Sequence, residues 1–151
     1  MTNFNNVDEI LNYAIDLEQK AVDLYTDLAT KAKNENTKEV FLSYANEERG
    51  HKARLQSVKG GKKQLPPDEK VQDLKISDYA VTVKLSSTPS YQDVLLFAMD
   101  QEKQAFKLYN DLAARSDDKD LEELFLGLAQ EEAKHKLKFE IEYDENVLTE
   151  N

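Results

Sequence analysis

The chain has 151 residues, 33% of them charged and 40% hydrophobic, with only four glycines and three prolines and a formal net charge of -10. That is one domain's length with enough apolar material for a real core. The balance favours a soluble helical protein, and the acidity argues against nucleic acid or an anionic membrane as partner while fitting a chain that handles cations. No cysteine is present, which excludes disulfides, a thiolate nucleophile, zinc-thiolate sites and cysteine-held iron-sulfur centres within this chain.

The first residues lack the basic start and apolar run of a signal peptide, and no stretch approaches the length needed to cross a bilayer, so the cytoplasm is the expected location. Asn6 with Glu9 reads as a capping box and predicts a first helix over about 7–33. Its positions Val7, Leu11, Ala14, Glu18, Ala21, Tyr25 and Leu28 form a regular 4-3-4-3 seam. After the polar turn Asn34-Glu35-Asn36, a second signature of Asn36 and Glu39 predicts a helix over about 37–59, with the seam Phe41, Tyr44, Glu48, His51, Leu55 and Val58. Gly60 and Gly61 are expected to end it.

From 60 to 89 the character changes. Pro66 and Pro67 forbid helix, residues 68–74 have the composition of a short one, and Tyr79 to Val83 are strand-like without an obvious partner. The whole segment reads as a long crossover. Ser90 with Asp93 opens a third helix over about 90–115, with the seam Tyr91, Leu95, Ala98, Glu102, Ala105, Tyr109 and Leu112. A fourth over about 118–143 carries Leu121, Phe125, Leu128, Glu132, His135 and Phe139, and the acidic tail from Glu142 is expected to fray.

The two halves are copies. At a constant offset of 84, residues 16–52 match 100–136 without a gap at 16 of 37 places. Glu48 and His51 recur as Glu132 and His135, the only two histidines, and Glu18 recurs as Glu102 thirty residues before each motif. Residues three apart on a helix project to one side, so each Glu-x-x-His pair can reach one inward cluster. A seam position is a core position, and burying an unpaired carboxylate costs several kcal/mol. Four carboxylates there need compensation, which two divalent cations supply. Four glutamates and two histidines at these spacings are the ligand set of a dinuclear site in a four-helix bundle, of a kind that suits iron or manganese and would also take zinc.

This pattern resembles the rubrerythrin branch of the ferritin-like superfamily, whose signature is a helix with one Glu and then a helix with Glu-x-x-His, given twice. The resemblance covers all four helices, about 7–143, and implies an all-α, ferritin-like four-helix bundle of two helical hairpins joined by the long crossover, one domain over 1–151. It implies that Glu18, Glu48, His51, Glu102, Glu132 and His135 hold two iron ions and act in catalysis through them. Glu48 and Glu132 would bridge, and Glu18 and Glu102 would be terminal ligands of a di-iron centre that reacts with hydrogen peroxide or dioxygen. Two departures stand out. Typical rubrerythrins carry an extra glutamate where this chain has Ala105, matched by Ala21, which leaves six ligands as in bacterioferritin-type sites. They also carry a cysteine-ligated rubredoxin domain, so electrons here must come from an external donor protein or from iron itself.

Around these six, Tyr25 and Tyr109 follow the ligand glutamates by seven residues, about 10 Å along the helix at its ~1.5 Å rise. They are read either as donors to a carboxylate of the facing hairpin or electron carriers, or as ordinary core tyrosines. Glu47 and Glu131 either hold the second N–H of His135 and His51, as the resemblance implies, or are flank charges pairing with Arg49 or Lys134, with slightly more weight on the flank. Gly50 is read as a plain helix glycine, and the lysines at 59, 62 and 63 as solvated or as a contact for an acidic electron donor. The expected function is a di-iron oxidoreductase of oxidative-stress defence. The alternatives are an iron-handling ferroxidase and a non-redox metal-binding bundle. A homodimer is expected, and the crossover leaves open whether a site forms within one chain or by hairpin exchange.

Overall fold

A computed structural model describes residues 6–61, 71 and 73–150, with side chains to 146. Helix α1 spans Val7–Lys31 and starts as the sequence predicts, with the Asn6 side chain accepting the Glu9 N–H at 2.9 Å. Helix α2 spans Glu35–Gly61. Its cap is Asn34, whose Oδ1 accepts the Thr37 N–H at 2.8 Å, and not Asn36. All three residues of the polar turn have capping chemistry or tolerate a first turn, so the true start slides two residues upstream. The helix also runs through both glycines. Glycine at a helix end is a preference and not a stop, and Lys59 Nζ bonds Asn12 Oδ1 of α1 at 2.5 Å, tying the last turns down.

Helix α3 spans Tyr91–Ala114 behind the expected Ser90–Asp93 capping box, and α4 spans Lys119–Glu150, capped by Asp118 Oδ1 on the Leu121 N–H at 2.9 Å. The helix continues through the acidic tail to Glu150. Glu142 and Asn146 are buried, Tyr91 Oη donates to Glu142 Oε2 at 3.0 Å, and Asn146 Nδ2 donates to the Glu142 carbonyl at 2.9 Å. The acidic composition hid two inward positions that continue the seam past Phe139.

The expected helix over 68–74 falls mostly outside the described residues, as do Lys62 and Lys63. Val71 and Leu74 are buried, and a 3-10 turn covers Ile76–Tyr79. The strand-like residues that follow pair with no strand. The N–H groups of Thr82 and Val83 go to Asp100 Oδ2 of α3, at 2.7 and 2.9 Å. A carboxylate thus satisfies the backbone where a neighbouring strand would have. Tyr79 sinks into the core, its hydroxyl donating to Asp111 Oδ2 at 2.7 Å and its carbonyl accepting Tyr13 Oη at 3.2 Å.

Short turns fold α1 on α2 and α3 on α4, and the hairpins meet chiefly through α1 and α3. The apolar core comes in two parts. One gathers Ile10, Leu11, Leu55, Leu108, Leu112 and Phe125 with Val71, Leu74 and Tyr79 of the crossover. The other gathers Tyr25, Leu28, Phe41, Leu95, Ala98 and Phe139. Between them lies a layer that is almost wholly ionisable.

Candidate metal centre

Each helix delivers its part of that layer from the middle of its seam: Glu18 from α1, Glu48 and His51 from α2, Glu102 from α3, Glu132 and His135 from α4. All six are at most 2% exposed, and all come from one chain. They form two overlapping groups, Glu18, Glu48, His51 and Glu132, and Glu48, Glu102, Glu132 and His135, whose ligand-class atoms lie within 4.8 Å of one another. Glu48 and Glu132 belong to both groups, the position a bridging carboxylate must occupy.

The histidines face inward through Nδ1. His51 Nδ1 stands 2.9 Å from Glu132 Oε1, 3.2 Å from Glu48 Oε1 and 3.5 Å from Glu18 Oε2; His135 Nδ1 stands 3.2 Å from Glu48 Oε1 and 3.9 Å from Glu102 Oε1. The two rings are near parallel, 6.4 Å apart between centroids and 15° between planes. Despite these short approaches, Nδ1 of both histidines, Glu18 Oε2, both oxygens of Glu48, Glu102 Oε2 and Glu132 Oε1 have no hydrogen-bond partner. Buried polar atoms are nearly always partnered. Seven orphans, all donor atoms for a hard or borderline cation, are aimed into one pocket, and a divalent pair would satisfy them.

The charges point the same way. Burial, and then the charge of Glu132, push the Glu18 and Glu48 carboxyls above the usual range; burial and Glu132 do the same to Glu102. Burial would raise Glu132 as well, but His51 and the carboxyls of Glu102 and Glu48 outweigh it and hold it at about 2. Burial alone would strip His51 of its proton, yet Glu132, Glu18 and Glu48 keep it charged, while burial wins at His135 and lowers it. Without cations the layer must take up protons to survive; with them it can stay ionised.

Outside the six, His51 Nε2 is bonded to Glu131 Oε2, and His135 Nε2 lies 3.3 Å from Glu47 Oε2. The slight preference for a flank role at Glu47 and Glu131 was therefore misplaced. Arg49, one proposed flank partner, instead donates to Asn46 Oδ1 at 2.6 Å, while the outer nitrogen of each seam histidine meets a carboxylate from the opposite hairpin. Tyr109 Oη donates to Glu18 Oε1 across the hairpin interface, leaving Oε2 for the centre. Its copy, Tyr25, is equally buried, but its hydroxyl has no partner. Tyr44, a seam position in the sequence, proves to be a neighbour of the centre. It stacks on the His135 ring at 4.0 Å and 29°, and its place on the seam one turn before Glu48 was the available signal. Gly50 is exposed, with open space around it, and forms no channel wall.

Four helices in two repeated hairpins, with carboxylates and imidazoles converging at the waist, define the ferritin-like class of helical bundle. The family profile of Rubrerythrin matches residues 9–143, and the chain belongs to that family. Among solved structures, it is similar to a candidate ferritin-like diiron-carboxylate protein of Thermotoga maritima, at 21% identity over 97% of this chain and 99% of that one, with a TM-score of 0.77. It is also similar to a hypothetical protein of Pyrococcus furiosus, at 24% identity over 91% and 87%, with a TM-score of 0.69. No curated protein matches it. Among the described residues no helix is long and apolar enough to cross a membrane.

Proposed function

We propose that this chain is a di-iron oxidoreductase that reduces hydrogen peroxide or dioxygen with electrons from an external donor. The observation that carries the reading is the set of seven unpartnered donor atoms converging in a buried layer. Glu18, Glu48, His51 and Glu132 would hold one ion, and Glu48, Glu102, Glu132 and His135 the other; manganese or zinc would fit the same donors. Two iron ions, when bound in this layer, would supply the electrons that the oxidant takes up.

The protein's own part is positioning and proton control. Glu131 and Glu47 fix the tautomer of His51 and His135 by accepting from Nε2, which makes Nδ1 the stronger ligand atom. Tyr109, kept protonated by burial and then by the charge of Glu18, fixes Glu18 through one oxygen. The apolar clusters on both sides keep bulk water from the layer.

Stopped-flow mixing of anaerobic, ferrous-loaded protein tests the proposal. Peroxide should oxidise it in one stoichiometric step, faster than dioxygen, and the reaction should then wait for added reductant. A second reading, ferrous-iron oxidation for storage or detoxification, draws on Ala21 and Ala105. Both are buried, and neither offers the further carboxylate typical of rubrerythrins. Faster reaction with dioxygen, with added ferrous iron consumed over many turnovers into a mineral, would establish that reading instead.

A further inference from the structure

The internal repeat provides its own control for surface features, because what one hairpin has and its copy lacks is not required by the fold. On the outer face of α3 and α4 lies an open groove of about 760 Å³, floored by Phe106, Ala133 and Leu137 and rimmed by Lys103, Lys107 and Lys136. Phe106 is 40% exposed, Leu137 57%, and Ile141, one turn further on, 43%. The copies of these residues on α1 and α2 are Val22, Arg49, Ala53 and Ser57, and those of Lys103 and Lys107 are Gln19 and Asp23. The second hairpin alone has an apolar face here, with Lys103 and Lys107 where its copy is neutral or acidic, while Lys136 recurs as Lys52. On a chain of net charge -10 that is a local reversal of sign. Of the two acidic groups in the groove, Glu140 pairs with Lys136 and Asp111 accepts from the Tyr79 hydroxyl, so the positive character of the rim rests on Lys103 and Lys107.

The groove also lies directly behind the metal centre. Lys103 follows Glu102 in the chain, Ala133 follows Glu132, and Lys136 follows His135, so a molecule seated here is separated from the ligands by one helix wall, within the ~10–12 Å diameter of a helix. We propose that this groove docks a small acidic electron-carrier protein, a partner that presents an apolar tip ringed by carboxylates. This rests on the oxidoreductase reading above and supplies the donor it needs. Each encounter passes one electron: the carrier is oxidised by one unit and the metal pair reduced by one, so two encounters restore the reduced pair.

The size of the patch agrees. Its exposed apolar surface comes from three side chains, Phe106, Leu137 and Ile141, well below the ~800 Å² per partner of a stable pair, and electron-transfer encounters occupy that low end. A two-fold pairing with a second copy would bring the same lysine rim against itself.

The test uses reduced rubredoxin as the acidic carrier and dithionite as a small reductant that needs no docking surface. In the iron-loaded, oxidised protein, Phe106→Ser with Leu137→Ser, and separately Lys103→Glu, should slow re-reduction by rubredoxin about tenfold or more, as loss of an interface's central contacts does. Dithionite should act at an unchanged rate, with helical content and iron loading retained. Added salt should slow the rubredoxin reaction of the unaltered protein, because the lysine rim is solvent-exposed. A titration of zinc-loaded protein with rubredoxin, followed by NMR, reads docking without turnover. Binding there that the variants weaken sustains the docking site even if the oxidoreductase reading fails. Variants that accept electrons and bind as the unaltered protein does would overturn it. So would sedimentation showing a dimer that the same substitutions dissolve, because the groove would then belong to a second copy.

Discussion

The two tyrosines flanking the centre occupy equivalent places in the repeat but different surroundings, so they should respond oppositely to the same change. Tyr109 and Glu18 are both buried, and the Tyr109 hydroxyl donates to a carboxylate oxygen. Replacing Tyr109 by Phe deletes a buried hydrogen bond to a group that is charged once metal is bound, a loss of about 1.5–3 kcal/mol. For a chain of this length each kcal/mol is worth about 2–4 °C, so Tyr109→Phe should lower the melting temperature by about 3–12 °C. Tyr25 is just as buried, and its hydroxyl has no partner. Leaving such a group unsatisfied costs about 1–3 kcal/mol, so Tyr25→Phe should be neutral or raise the melting temperature. Scanning calorimetry on both variants with zinc bound, which removes redox change from the comparison, reads the difference directly. Equal losses at the two positions, or the larger loss at Tyr25, would mean that the hydroxyl of Tyr109 is not what orients Glu18.

Four further expectations follow from the site and its supports. Protein loaded with iron should carry close to two ions per chain, and Glu48→Ala or Glu132→Ala should remove at least one by metal analysis; full content in either variant would contradict the shared position of these carboxylates. The metal-free form should melt well below the loaded one. Because the Glu18, Glu48 and Glu102 carboxyls are raised in the fold, the folded metal-free chain binds more protons than the unfolded one. Its stability is therefore greatest below the ordinary glutamate value of about 4.3 as far as these groups are concerned, and it is lost as pH rises through the raised values. Glu18→Gln with Glu102→Gln should flatten that pH dependence in thermal melts and stabilise the metal-free form while weakening metal binding. Asp100 runs the opposite way. Partial burial pushes its carboxyl up, but the N–H groups of Val83 and Thr82 and the Gln104 side chain bring it below the ordinary range. Its hold on the crossover is thus complete above about pH 4 and lost as pH falls through the lowered value. Asp100→Asn should mimic the acid state at neutral pH, as faster hydrogen exchange at Thr82 and Val83. Gly50→Ala should stabilise the protein by about 0.5–1 kcal/mol in denaturant melts, because an added Cβ there meets nothing within 4 Å.

The helices and the six central residues were legible because each helix repeats one seam and the halves repeat each other. An ionisable residue at a seam position is conspicuous against apolar neighbours, and twofold recurrence at a fixed offset removes coincidence. What the sequence hid depends on contacts between segments far apart in the chain. Asn34 and Asn36 have the same capping chemistry, so only the packed turn decides between them. Glu142 and Asn146 look like solvent-facing tail until Tyr91 of another helix arrives to bond Glu142. The strand-like run after Tyr79 is governed by Asp100, which no local pattern connects to it. The roles of Glu47 and Glu131 turned on histidines 88 and 80 residues away, where the nearer arginine offered a simpler partner. The part Tyr44 plays beside His135 was hidden because its copy is Leu128, so the repeat that exposed the centre gave no signal where the halves differ.

The division of the apolar core into two clusters has a consequence for the traffic of ions. Each cluster joins both hairpins, one beyond each side of the ionisable layer. The helices are therefore clasped by apolar packing at two separate heights, while the waist between them is joined by hydrogen bonds between the hairpins. Ions can enter or leave through breathing of the middle turns while both clasps stay closed, so exchange of metal need not wait on global unfolding. The lifetime of a bound ion is then set by how often four helix centres part by the width of an ion. A change at either clasp can alter how long the protein stays folded without altering how long it holds its metals.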